Sequence, residues 1–200
     1  MVANQIDLPV NRQRSLLSPR TLGTLGMIAA PMMAVDGLYH YFWHISREES
    51  TPIIGTIGII YIAGWMCSSI AMRWLDVTGT GTWNTIAFVV QMIGLTLAGT
   101  LSLHELVHFD SLADTTFLGI TDAAWPLSHL FMLATAGFVA KAGVWKGWRR
   151  AAPFVCGLAL PPLFASFAIG VPAVGFVLFP VITTTGFLML GYAVRTSEAL

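Results

Sequence analysis

The chain has 200 residues, 56% of them hydrophobic and only 10% charged, with ten basic and ten acidic residues in balance. A soluble domain carries roughly a quarter charged residues, so this composition, at a mean hydropathy of +0.73, excludes an ordinary water-soluble fold. Zero net charge argues equally against a nucleic-acid partner, which demands a basic face.

Apolar runs of about 20 residues are long enough to cross a bilayer core, and in lipid the backbone of such runs must be helical. The expected fold is therefore all-α: a polytopic bundle of six transmembrane helices in contact with the lipid bilayer. Residues 1–20 form a polar N-terminal segment, 21–195 the transmembrane domain and 196–200 a short tail. In chain order the spans are expected at residues 21–44, 53–74, 83–109, 125–145, 152–171 and 173–194. The first is too long, and too punctuated by Gly and Pro, for a cleaved signal peptide, so it is expected to stay uncleaved. Pro31, the Pro161-Pro162 pair and Pro180 fall inside spans and should kink them. Trp74, Trp83, Trp125, Trp145 and Trp148 fall near span ends, as an interfacial aromatic belt requires. Gly55, Gly58 and Gly64 in the second span suit close packing of neighbouring helices. Cys67 and Cys156, both inside apolar runs, are expected to be free thiols.

With the N-terminus inside, Arg12, Arg14, Arg20, Arg73, Lys141, Lys146, Arg149, Arg150 and Arg195 all fall in inner segments, and only Arg47 falls outside. That bias puts both termini in the cytoplasm, and the compact loops suit a bacterial inner membrane. The Lys146–Arg150 cluster reads as a topology anchor and anionic-lipid contact. The long outer connection, residues 110–124, is acidic through Asp110, Asp114 and Asp122 and reads as a solvated loop.

All five histidines fall toward the outer side of this topology. Rising at 1.5 Å per residue from Arg20, Asp36 lies about 24 Å up, His40 about 30 Å, and His44 just beyond the roughly 30 Å core. His104 and His108 close the third span at the same level, and His129 lies one turn inside the fourth. Asp36, His40 and His44 recur at i, i+4 and i+8 on one helix face. A carboxylate within hydrocarbon needs a partner, and His40 is the expected one for Asp36, in the arrangement by which an aspartate orients a ligand histidine.

His104 and His108 are one helical turn apart and can reach one ion. His104-Glu105-Leu106-Val107-His108 resembles the His-Glu-x-x-His element of zinc hydrolases over those five residues. The resemblance implies two histidine ligands and Glu105 as general base toward a metal-bound water. The expectation is an integral membrane metalloprotein with His40, His104, His108 and His129 as ligands, Glu105 as acid/base group, and Asp36, His44 and Asp110 around them. Imidazole with carboxylate suits zinc, iron or copper, and hydrolysis or oxidation of a lipid-soluble substrate is the reaction class. Two alternatives stand beside it. One is a b-type haem or quinone-reactive subunit with His40 and His129 as axial ligands. The other is a non-catalytic accessory subunit among other membrane subunits, or a small transporter. Met27, Met32 and Met33 lie away from the histidine level and read as packing, and Thr183-Thr184-Thr185 reads as hydroxyls bonded back to their own helix.

Overall fold

Residues 17–43, 51–107 and 116–197 are described by a computed structural model, and among them eight helices and no strand occur. They are α1 (Pro19–Ala29), α2 (Met32–Trp43), α3 (Pro52–Trp74), α4 (Thr82–Val107), α5 (Thr116–Ala142), α6 (Trp148–Gly157), α7 (Leu160–Ala168) and α8 (Pro172–Thr196). Taken as α1–α2, α3, α4, α5, α6–α7 and α8, they make six helices long and apolar enough to cross a membrane.

Local chemistry sets the ends and breaks. Ser18 accepts from the Thr21 N–H at 3.1 Å, and Thr51 from the Ile54 N–H at 3.3 Å. Each cap is followed by a proline, whose missing N–H costs nothing in the first turn. Pro31 lacks the donor that would continue α1, and its ring crowds the preceding turn; the helix stops at Ala29 and resumes as α2. Pro161 and Pro162 divide α6 from α7 in the same way. Pro126 and Pro180 remain inside α5 and α8.

The spans pack in a closed ring in chain order: α1 on α3, α3 on α4, α4 on α5, α5 on α6, α6 and α7 on α8, and α8 back on α1. Small residues let the backbones meet. A Cβ on Gly23 would lie 2.6 Å from the Arg195 nitrogen and the Gly191 oxygen, and one on Gly64 would collide with the Ala29 methyl. The glycines of α3 thus serve two neighbours, Gly64 facing α1 while Gly55 and Gly58 face Ser102 and its turn of α4. Large apolar side chains such as Ile28, Leu127 and Val177 point outward and are more than 60% exposed. In water that belt would be untenable; against lipid it is the expected surface.

The interior has two levels. Next to the end that holds Pro19 and Arg195, buried side chains including Leu22, Met72, Val139, Leu190 and Val194 fill the ring. Higher up, Tyr61, Trp65, His129 and Phe187 form an aromatic layer, with Tyr61, Trp65 and His129 at most 1% exposed. Beyond it, away from the termini, the ring is hollow. Cys156 is a buried free thiol and Cys67 a half-buried one.

Two expectations are corrected. The fourth span begins at Thr116, nine residues before Trp125, so Asp122 belongs to a helix and not to a loop. Thr183 and Thr184 do not bond back to their helix; both hydroxyls are buried without a partner.

Candidate functional site

The hollow end is a cavity of about 290 Å³ with walls from α2, α3, α4, α5, α7 and α8. Its lining follows helical spacing on every wall: Met33, Asp36 and Gly37 on α2; Ile54, Gly58 and Ile62 on α3; Ala98, Ser102 and Glu105 on α4; Asp122 and Trp125 on α5. Intervals of three, four and seven residues keep each set on one helix face. Phe176, Phe179 and Pro180 complete the wall on α8.

Three carboxylates, Asp36, Glu105 and Asp122, therefore share one space, with no lysine or arginine among the described residues that line it. Asp36 and Asp122 both lie within electrostatic reach of Glu105. The Pro31 break positions the first of the three. It separates α2, which has no fully buried residue, from the tightly packed α1. Asp36 and Gly37 are thereby presented to the cavity on a half-helix resting on α3 and α8. His40 stands one turn beyond, its Nε2 3.7 Å from the Asp36 Oδ1, so the expected pairing of these two residues is present as an ion-pair approach.

Trp125 and Phe179, with ring centroids 5.2 Å apart, close the cavity floor. Beneath them lies His129, 5.0 Å from the Trp125 ring and 5.7 Å from that of Phe179. Its Nε2 is 3.2 Å from the Tyr61 hydroxyl and its Nδ1 3.4 Å from the Cys156 carbonyl. The arrangement suits one tautomer: Nδ1–H donates to the carbonyl and Nε2 accepts from the phenol. The carbonyl lies in the last turn of α6.

His129 stands thirteen residues into α5, not one turn inside its span as expected. Both ring nitrogens are engaged, and Tyr61, Trp65, Trp125, Phe179 and Phe187 enclose the ring. His104 is half-buried at the end of α4, and its Nδ1 is buried with no hydrogen-bond partner. His108, His44 and Asp110 lie outside the described residues. Among the described residues no group of three or more His, Cys, Asp or Glu side chains is placed to hold a metal ion.

Comparison with protein-family models, curated proteins and solved structures returns no match. The functional reading therefore rests on the chemistry of the cavity. Asp122 was expected in a solvated loop, and the aromatic wall escaped the sequence reading. The signal for Asp122 is its three-residue spacing from Trp125, which puts both on one face once the helix starts before them.

Proposed function

We propose that this chain is a multi-pass membrane protein that binds a small organic cation, an ammonium compound, in the carboxylate-lined cavity. The observation that carries the reading is the convergence of Asp36, Glu105 and Asp122 on one space of about 290 Å³, with no lysine or arginine among the described residues that line it. Asp36 and Glu105 are partly buried and Asp122 is exposed at the rim; carboxylates gathered partly in apolar surroundings repel one another and favour a counter-charge. His40 stands beside Asp36. The rings of Trp125, Phe176 and Phe179 in its wall favour an alkylammonium over a hydrated metal ion, because aromatic rings attract a weakly hydrated cation directly. Among the described residues the basic side chains, Arg20, Arg73, Lys141, Lys146, Arg149, Arg150 and Arg195, belong to the opposite end of the bundle, which favours an extracytoplasmic opening for the cavity.

Choline and its uncharged isostere 3,3-dimethylbutan-1-ol test this directly by calorimetry on the purified protein in nanodiscs. Saturable binding of choline with none of the alcohol is expected. Equal binding of the two, or no saturable binding of choline, overturns the proposal.

One observation favours a second reading, a zinc, iron or copper site around the His-Glu-x-x-His element: the unpartnered Nδ1 of His104. Elemental analysis of the intact protein and of His104→Ala decides it. Near-stoichiometric metal that falls in the variant supports it, and metal-free wild-type protein rejects it.

A further inference from the structure

The basic cluster of Lys146, Arg149 and Arg150 has no part in the cation cavity, which lies at the other end of the bundle. It sits where the turn after α5 enters α6. Gly143 and Gly147 adopt φ values of +67° and +59° in that turn, a left-handed backbone that glycine reaches without steric cost. Between them the chain folds Trp145 inward, 2% exposed, with its indole N–H donating to the Ser197 Oγ at 2.9 Å. That bond ties the turn to the end of α8. Arg149 is tied to the same end, its Nη2 donating to the Thr196 Oγ1 at 3.2 Å.

A concave space of about 480 Å³ results, lined by Val144, Trp145, Lys146, Trp148 and Arg149. Both of its cations reach the surface, Lys146 exposed and Arg149 partly so. Among the described residues neither forms an ion pair. Two cations sharing one space repel each other and favour an anion between them. Depth says which anion. Trp148 opens the fifth span, and tryptophan at a span end marks the headgroup level. Its ring stacks on Tyr192 of α8, with centroids 5.8 Å apart and planes 24° from parallel. Tyr192 lies one turn deeper in α8 than Thr196, and both rings are nearly half exposed. The pair therefore forms a flat apolar flank running from the cations into the hydrocarbon. A soluble phosphate would leave that flank unused; a lipid covers it.

We propose that this space holds the phosphate of an anionic phospholipid in the leaflet at that end of the bundle. Lys146 and Arg149 flank the phosphate, and one acyl chain lies along Trp148 and Tyr192. The site is separate from the cation cavity, and neither depends on the other.

Phosphatidylglycerol is the probe, with diacylglycerol of the same chains as the control that lacks the phosphate. Each is titrated into the purified protein in a neutral detergent, and native mass spectrometry reads stoichiometry and affinity. The Lys146→Gln, Arg149→Gln variant removes the two cations of the space. A Lys141→Gln, Arg195→Gln variant removes the same charge from the same end outside it. One tightly held phosphatidylglycerol per chain is expected in the wild type. Its dissociation constant should rise roughly 30-fold in the first variant, the scale of two basic side chains at a membrane surface, and change little in the second. Thermal unfolding shows each variant folded. Lys146→Gln alone, at an exposed side chain, carries the test if the pair does not fold, with a rise of roughly fivefold expected. Equal losses in the two double variants overturn the proposal and leave a diffuse electrostatic shell. Equal affinity in the wild type and the Lys146 variants, or no preference for phosphatidylglycerol over diacylglycerol, also overturns it. Displacement of the lipid by an equal concentration of glycerol 3-phosphate overturns it as well, because the anion would then be a soluble one.

Discussion

Replacing Glu105 by glutamine removes one negative charge from the cavity while keeping the side chain's shape. The bound and empty protein should respond with opposite signs. In the empty protein, Glu105 shares its space with Asp36 and Asp122. Two like charges about 6 Å apart at an effective dielectric constant near 20 repel by about 3 kcal/mol. Protonation and His40 beside Asp36 relieve part of this, so Glu105→Gln should stabilise the ligand-free protein by about 1 kcal/mol. In the complex, a carboxylate about 4 Å from an ammonium contributes about 4 kcal/mol under the same screening. Desolvation of both groups offsets about half of it. The remaining ~2 kcal/mol corresponds to a roughly 30-fold rise in the dissociation constant. Calorimetry with choline gives the second quantity, and thermal unfolding without ligand gives the first. A variant that is less stable when empty and binds choline as tightly as the wild type would refute the reasoning, because Glu105 would then be a structural hydrogen-bonding residue.

Three further substitutions probe the scaffold. His129→Ala empties a space within the aromatic layer and strips partners from the Tyr61 hydroxyl and the Cys156 carbonyl; a loss of about 3–5 kcal/mol in unfolding free energy is expected, with no change in metal content. Thr183→Val exchanges a buried, unpartnered hydroxyl for a methyl group and should raise stability by about 1 kcal/mol in the same assay. Gly64→Leu drives a side chain into Ala29 and the backbone of α1, so the purified variant should lose at least 3 kcal/mol or fail to fold, as read by its unfolding midpoint.

The hydrophobic runs disclosed the six spans because membrane helices are set by length and apolarity, which need no knowledge of their neighbours. Pro31 and the Pro161-Pro162 pair likewise marked the two broken spans, since the missing N–H is a local fact. The packing role of Gly64 was legible for the same reason. The start of the fourth span was misplaced because Asp122 made residues 110–124 look solvated; its charge instead faces the cavity from the second turn of α5. Neither the depth nor the direction of His129 was readable: expected one turn inside its span, it stands thirteen residues into α5 and turns toward Tyr61 and Cys156, among the aromatic side chains of α3 and α8. Asp36 beside His40 was accessible from their four-residue spacing alone. The convergence of Asp36 with Glu105 and Asp122 was not, because three different helices bring them together.

The claim that these three carboxylates form one cation site is tested most directly by choline calorimetry on the wild type against the combined Asp36→Asn, Glu105→Gln, Asp122→Asn variant. The account predicts saturable binding in the wild type and none in a triple variant that unfolds at an equal or higher temperature. Undiminished binding in that folded variant would contradict it.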